Sequence, residues 1–248
     1  MAAAGLFAAP FLYLAVRNAA TPSAFLSSLS SAAALAPLGR SLLLAGTVAV
    51  AAAGLGTVGA WLTARTDVRG RGLLRVLLPL PLVIPSFIGA FALIAAFAPG
   101  GLVARVLGID AMPRVRGFWA AFGVLTLLTF PYVHLPVAAR LQQLAPSLEE
   151  AARLSGRGPG EVFRTVVLPQ ARAAILAGTL LVFLYVISDF GAVELLRYDT
   201  LTRVIFASVN RLDAVTALAL SLQLGVLAVA VVSLERVLTG GPRRVEAA

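Results

Sequence analysis

The sequence contains no cysteine and no lysine, and His134 is its single histidine. Without cysteine the chain has no disulfide, no thiolate metal ligand and no cysteine nucleophile. Without lysine it lacks the Gly-Lys-Ser/Thr phosphate loop of ATPases, so any ATP that drives this protein is hydrolysed by another chain. One imidazole cannot make a histidine-rich metal site. We therefore expect this chain to bind no cofactor and no metal of its own.

Charged residues are also scarce, at 12% of the chain, whereas soluble domains carry roughly 25%. Hydrophobic residues make up 60% of the chain, and the mean hydropathy is +0.95. This composition cannot cover a water-facing surface, so it indicates an integral membrane protein and excludes disorder. The net charge of +9 comes from arginines that lie between apolar stretches, as in membrane proteins. No nucleic-acid partner is expected.

Apolar stretches of the length that crosses a bilayer, about 20 residues, recur along the chain. Five are clear and a shorter sixth comes first: they cover residues 2–16, 41–64, 76–98, 117–139, 173–196 and 214–234. They predict one all-α, polytopic membrane domain over residues 1–248, with about six transmembrane helices. Twelve of the 20 arginines fall on one side of these spans. Positive loops face the cytoplasm, so we expect both termini there.

Small residues and prolines within the spans predict close packing and bends. Gly56 and Ala60 are four residues apart on one helix face, where they allow a neighbouring backbone to come close. Pro79, Pro81 and Pro85 interrupt the third stretch, and each removes a backbone hydrogen bond and kinks a helix. Such a kink serves either packing alone or a hinge or path through the membrane.

The longest cytoplasmic segment, residues 140–172, has its own helix punctuation. Ser147 and Glu150 have the spacing of a capping box, and Gly156 suits a left-handed helix end. Pro159 suits the first turn of a second helix, which we expect to end at Leu168-Pro169. The segment is thus predicted to be a short helix-turn-helix. It either fits a groove on a partner protein or lies on the lipid surface.

The spacing in this segment is Glu150-Ala151-Ala152, three residues, Gly156, nine residues, Val166, one residue, Leu168-Pro169. It resembles the EAA loop of ABC importer permeases, in which isoleucine is usual where Val166 stands. The resemblance implies that residues 140–172 carry the coupling helix, which docks into a cleft of an ABC ATPase subunit. ATP and Mg²⁺ then belong to that partner, and this chain is a transport subunit rather than an enzyme.

Two further segments, residues 77–86 and 188–203, resemble permeases of the ferric-iron subgroup. The resemblance implies a type I ABC importer permease fold in a bacterial inner membrane, with this chain similar to one six-span half of a twelve-span permease. The implied partners are a second permease half, in a homo- or heterodimer, ABC ATPase subunits and an extracytoplasmic substrate-binding protein. Ferric iron is the first substrate expected, and thiamine, phosphonate, sulfate and polyamines are the alternatives.

Asp189 places a carboxylate toward the outer end of the fifth stretch. A charge inside a span is costly, which makes it a candidate functional residue. One interpretation is that Asp189 lines the outer gate or meets a cationic substrate; the other is that it caps a helix or pairs with Arg197 or Arg203. The resemblance makes the segment from Ser188 to Gly191 important without assigning it a role, and we expect a translocation path that includes Ser188, Asp189, Gly191 and Pro85.

Two other classes of protein fit the sequence less well. An intramembrane hydrolase needs a nucleophile and a base within the spans, and His134 has no evident serine partner there. An ion-driven secondary transporter is expected to show inverted repeats and paired charges in its spans, and neither pattern is visible in the sequence.

Overall fold

The computed structural model describes residues 31–108 and 114–238, together with scattered residues between 9 and 27. Every regular element in this part of the chain is helical. The helices are α1 (Ala32–Arg65), α2 (Arg71–Leu77), α3 (Ser86–Ala96), α4 (Leu102–Leu107), α5 (Phe118–Thr129), α6 (Pro131–Gln142), α7 (Pro146–Leu154), α8 (Pro159–Val162), α9 (Leu168–Ser188), α10 (Gly191–Leu195), α11 (Leu201–Asn210) and α12 (Ala214–Leu238). A 3₁₀ turn covers Leu80–Val83 and a π turn covers Phe163–Val167.

Four helical segments in the described residues are long and apolar enough to cross a membrane: Ala32–Arg65, Phe118–Gln142, Pro159–Ser188 and Ala214–Ser233. A fifth is present if the bent pair Arg71–Val83 and Ser86–Ala96 counts as one span. The all-α, polytopic class is therefore confirmed. The predicted first span, residues 2–16, lies largely outside the described residues, so a total of six spans stays a prediction.

The third apolar stretch, which the sequence predicts to be a kinked span over residues 76–98, forms two helical segments, Arg71–Val83 and Ser86–Ala96, that meet at 100°. Its prolines lack the N–H groups that a continuous helix needs. Ile84, which precedes Pro85, is extended (φ −89°, ψ 114°), because the proline ring disfavours helical backbone in the residue before it. The expected kink is therefore present, and it is large enough to end one helix and start another.

The expected helix end at Leu168-Pro169 is wrong, because one helical segment runs from Pro159 to Ser188. The π turn before Pro169 explains the difference: Leu168 N–H donates to the carbonyl of Phe163, five residues back. This wider turn opens the backbone where the ring of Pro169 would clash with an α-helical carbonyl. The predicted fifth span, residues 173–196, also ends early, at Ser188, and α10 follows after a break.

The chain divides into two compact units. The first comprises Met1–Gly46, Ser86–Val124 and Leu184–Leu234, and the second comprises Thr47–Pro85, Leu125–Phe183 and Glu235–Ala248. In the first unit α10 packs closely on α3, because a side chain at Gly191 would put its Cβ 2.9 Å from Phe87 Cβ. Ala34, Leu201 and Leu220 form a second buried cluster in that unit.

In the second unit, two glycines allow α1 and α9 to contact the backbone of α6. A Cβ at Gly56 would lie 2.7 Å from Val133 Cβ and 2.8 Å from the carbonyl oxygen of Phe130. A Cβ at Gly178 would lie 2.7 Å from Val133 Cα. These distances are too short for any side chain, so the predicted close approach at Gly56 is confirmed.

Candidate functional site

The predicted helix-turn-helix forms, and backbone chemistry fixes both of its ends. Helix α7 ends in a Schellman motif, in which Gly156 N–H donates to Arg153 (2.9 Å) and Arg157 N–H donates to Ala152 (3.3 Å). Gly156 has φ +84°, the left-handed conformation expected for it. Gly158 is then extended and Pro159 begins α8, also as predicted.

The capping box predicted at Ser147 and Glu150 does not form. The N-cap of helix α7 lies two residues before Ser147, at the extended Ala145, with Pro146 in the first turn, and no side chain caps the helix. Proline is favoured at this position because its missing N–H would have no partner there and its φ already suits a helix. The Glu150 side chain is consequently free to face outward.

Helix α7 buries one face, which includes the motif residue Ala152, and exposes the other. Ala152 is buried, whereas Glu150, Ala151 and Gly156 are exposed. Leu154, at the end of the helix, is 89% exposed. Further along the motif, Val166 is half-buried and Leu168 and Pro169 are exposed. The exposed surface of α7 and its C-terminal end thus combines Glu150 with the small residues Ala151 and Gly156, and Leu154 projects from it.

An ion pair that sequence reasoning missed joins α7 to the end of α1. Glu149 is 8% exposed, and its Oε1 lies 3.3 Å from Arg65 Nε. The contact is ionic rather than an aligned hydrogen bond. Arg65 also donates from Nη2 to the carbonyl of Leu144 at 2.6 Å. The signal in the sequence is that Glu149 precedes Ala152 by three residues, which puts a carboxylate on the buried face of α7.

The Arg65–Glu149 pair borders a charged pocket of about 260 Å³ beside the motif. Both carboxylates and guanidinium groups line it: Arg65, Asp67, Arg71, Glu149, Glu150 and Arg153. Arg71 and Asp67 pair at 2.9 Å, but both side chains are at least half exposed. Exposed pairs contribute little to stability, so the buried Arg65–Glu149 pair is the stronger of these two ionic contacts.

Helix α8 and the π turn are held by polar and aromatic contacts. Arg157 donates to Thr165 Oγ1 (3.2 Å) and lies 3.6 Å from Glu161. The ring of Phe163, in the π turn, packs on that of Trp61 of α1, with centroids 5.1 Å apart. These contacts hold α8 and the π turn against each other and against α1.

Asp189, in the first unit, caps a helix. Its carboxylate accepts from Ala192 N–H at 3.1 Å, at the start of α10, and hydrogen-bonds the Ser86 hydroxyl. Thr202 Oγ1 donates to the Asp189 carbonyl at 2.7 Å. Asp189 is 8% exposed and forms no ion pair with Arg197 or Arg203. The sequence left three roles open for Asp189: a gate or substrate contact, a helix cap, or an ion pair. The contacts in the structure are those of a helix cap.

The other residues predicted for the translocation path lie in different surroundings. Gly191 contacts Ser86, with an added Cβ 3.2 Å from Ser86 Oγ, so it belongs to the same cluster as Asp189. Ser188 is exposed and donates to the carbonyl of Leu184 at 2.9 Å. Pro85 is exposed at the bend before α3 and belongs to the second unit. No group of three potential metal ligands occurs among the residues that the structure describes.

Comparison with known proteins shows which protein family the chain matches. The sequence pattern of the family described as binding-protein-dependent transport system inner membrane component matches residues 52–241. The Fe(3+)-transport system permease protein FbpB 2 of Haemophilus influenzae is 36% identical over 169 residues, which are 68% of this chain and 30% of that protein. The sulfate transport system permease protein CysT of Salmonella typhimurium is 33% identical over 56% of this chain and 50% of its own length.

A third relative is the putrescine transport system permease protein PotI of Escherichia coli, which is 32% identical over 72% of this chain and 63% of its own length. The chain thus spans less than two thirds of each of these three relatives.

Among solved structures, a chain of a bacterial alginate ABC transporter matches with a TM-score of 0.72 at 17% identity, covering 95% of this chain and 92% of that one. At that identity the likeness shows a shared fold.

Proposed function

Because the chain belongs to the family of binding-protein-dependent transport system inner membrane components, we propose that it is the membrane-spanning permease subunit of an ATP-driven ABC importer. The observation that carries the proposal is the EAA-like segment, folded as a short helix with a fixed end and an exposed face at Glu150, Ala151 and Gly156. The partner that suits this short helix is an ATPase subunit with a groove into which the exposed face fits. ATP and Mg²⁺ bind to that subunit, and this chain performs no covalent chemistry.

The mechanism follows from how α7 is held. ATP-driven closure of the ATPase subunit pushes on the exposed face of α7, where Leu154 projects. The buried Arg65–Glu149 pair passes that push to the end of α1, and the continuous helix beyond Pro159 receives it as well. A second permease half completes the path, and an extracytoplasmic binding protein delivers the substrate. We place both termini in the cytoplasm of a bacterial cell.

Ferric iron is the substrate that we propose first, because the relative that is named for Fe(3+) transport matches 68% of this chain at 36% identity. Relatives named for sulfate and putrescine transport support the class of small solutes more broadly. Uptake of radiolabelled ferric iron, sulfate and putrescine by cells that express the complete importer decides between them. Uptake of sulfate or putrescine without that of iron contradicts the iron assignment.

The docking role of α7 predicts a loss of partner binding when its exposed face is changed. We expect Glu150→Lys and Gly156→Asp each to abolish co-purification with the ATPase subunit and to abolish uptake. Lysine reverses the charge on the exposed face, and aspartate adds a charge at a φ of +84° that side chains rarely adopt. The measurement is pull-down of the co-expressed, tagged ATPase subunit from detergent extracts.

Gly158→Ala is the matched control for this test. Gly158 lies two residues from Gly156, has an ordinary φ of −72° and has open space around an added Cβ. We expect this variant to bind the ATPase subunit normally. If both test variants still hold the ATPase subunit and still transport, α7 is not the coupling helix.

A translocation role for Asp189, Ser188, Gly191 and Pro85 is part of the proposal, and Asp189 offers its clearest test. Asparagine caps helices about as well as aspartate, so Asp189→Asn removes the charge and keeps the cap on α10. We expect this variant to reach the membrane with unchanged thermal stability but lower uptake. Asp189→Ala, which loses the cap, should cost about 1 kcal/mol of stability. Wild-type uptake by the asparagine variant would leave Asp189 a structural cap only.

A further inference from the structure

Three arginines of the first unit surround a pocket that the transport mechanism does not use. Arg114, Arg116 and Arg197 lie around a volume of about 470 Å³, and its walls include the apolar side chains of Ile94 and Leu195. All three arginines are exposed. The pocket is therefore lined by both apolar side chains and positively charged guanidinium groups.

The walls of this pocket are held by direct contacts. Gly117 N–H, next to Arg116, donates to the carbonyl of Leu196 at 2.7 Å. The ring of Phe118 packs edge-on against that of Tyr198, with centroids 5.7 Å apart. These two contacts fix the segment before α5 against the end of α10, so the three guanidinium groups are brought together by the fold.

Arg197 occupies a backbone conformation that normally selects glycine. Helix α10 ends in a Schellman motif, with Tyr198 N–H bonded to Val193 (3.0 Å) and Arg197 N–H bonded to Glu194 (3.2 Å). Arg197 is the left-handed residue of this motif, with φ +54°. The strained position holds a guanidinium group at the pocket instead of the hydrogen atom of a glycine.

The charges of this pocket are not balanced by the described part of the chain. Elsewhere in the unit, Arg40 pairs with Asp199 and Arg203 pairs with Glu194. No described carboxylate lies within 4 Å of the three pocket arginines. Like charges held close together repel, and a bound anion relieves that repulsion.

The apolar surroundings indicate which kind of anion fits. Phe87 and Phe91 on α3 are 52% and 63% exposed. They share a helix face with Ile94 at spacings of four and three residues, so an exposed apolar track leads along α3 to the pocket. A soluble anion, or a carboxylate on a protein, would leave this track uncovered. A phosphate that carries a hydrocarbon chain covers both parts.

We propose that this pocket binds the headgroup of an anionic phospholipid, with an acyl chain along Phe87 and Phe91. Guanidinium groups bind phosphate through paired hydrogen bonds, and basic residues near a membrane surface attract anionic lipids. The inference does not depend on the proposed transport function, because it concerns only lipid and the residues of this unit.

The test measures which lipids stay with the protein. The full chain is reconstituted in vesicles of equal phosphatidylglycerol and phosphatidylcholine, re-extracted in detergent and purified, and its retained lipids are quantified by mass spectrometry. We expect enrichment of phosphatidylglycerol in the wild type, and its loss in the triple variant Arg114→Gln/Arg116→Gln/Arg197→Gln. Each arginine is expected to contribute about fivefold to the affinity.

Two further variants separate binding from folding and from bulk charge. Arg197→Gly removes one guanidinium group but relieves the strain at φ +54°, so thermal stability should rise while phosphatidylglycerol retention falls about fivefold. The triple variant Arg17→Gln/Arg105→Gln/Arg211→Gln removes equal charge from exposed sites of the same unit outside this pocket. It should retain phosphatidylglycerol as the wild type does.

Several outcomes would overturn the proposal. One is the absence of phosphatidylglycerol enrichment in the wild type, and another is equal enrichment in both triple variants. Inorganic phosphate and polyglutamate are added as competitors during purification. Displacement of phosphatidylglycerol by inorganic phosphate would identify a site for a soluble anion, and displacement by polyglutamate would identify a docking surface for an acidic protein.

Discussion

Replacing Arg65 by methionine is expected to lower the free energy of unfolding by about 3 kcal/mol, because breaking a buried ion pair leaves the other charge without a partner. The partner here is Glu149, whose side chain is 11% exposed. The same substitution removes the hydrogen bond to the carbonyl of Leu144. The loss is measured as a drop in the thermal unfolding midpoint of the detergent-purified protein.

The double variant Arg65→Met/Glu149→Leu separates stability from coupling. It removes both charges, so the stability lost in Arg65→Met should largely return. If the pair also transmits motion from α7, ATP-driven uptake by the double variant should stay low although the protein is stable. Recovery of both stability and uptake would show that the pair only fastens α7 in place.

Arg153→Met is the matched control for Arg65→Met. Arg153 lines the same charged pocket but is exposed, and it forms no ion pair among the described residues. Its substitution should change stability by no more than about 0.5 kcal/mol. A drop as large as that of Arg65→Met would mean that the pocket responds to any loss of positive charge, and would contradict a specific role for the buried pair.

Gly56→Ala and Gly178→Ala are expected to destabilise the second unit strongly. Each added methyl group would overlap the α6 backbone at 2.7–2.8 Å, and backbone cannot move aside as the end of a side chain can. Overpacking of this kind costs about 1–3 kcal/mol, and we expect the upper part of that range. The measurement is the unfolding midpoint, together with the yield of monodisperse protein in detergent.

Gly54→Ala provides the comparison on the same helix. An added Cβ at Gly54 meets nothing within 4 Å, and alanine favours helix over glycine by roughly 1 kcal/mol in peptides. This variant should therefore be as stable as the wild type or slightly more stable. Equal destabilisation by Gly54→Ala and Gly56→Ala would contradict the close contact of α1 with α6.

Much of the fold can be predicted from the sequence, because the constraints behind it are local or compositional. Scarce charge and long apolar stretches predict the membrane helices. Gly156 and Pro159 mark the ends of α7 and α8, because each suits one particular backbone geometry. The fixed spacing from Glu150 to Pro169 identifies the segment that we propose to couple transport to ATP.

The parts that could not be predicted depend on competition between groups or on contacts that are distant in the sequence. Ser147 can cap a helix, but α7 starts at Pro146 and its N-cap is Ala145, two residues before Ser147. Pro169 usually ends a helix, but a π turn accommodates it. The spacing of Glu149 and Ala152 puts both on one face of α7, but the partner of Glu149 is Arg65, a residue far away in the sequence that this spacing does not identify.

The π turn at Phe163–Val167 also changes the meaning of the spacing in the motif. A turn with bonds five residues apart contains one residue more than an α-helical turn. One residue corresponds to about 100° of rotation around a helix axis. Deleting a residue from this turn would shorten the segment very little, but it would rotate α7, the proposed coupling helix, by more than a quarter of a full rotation about the helix axis. The number of residues between Gly156 and Leu168 therefore sets the direction in which that element faces.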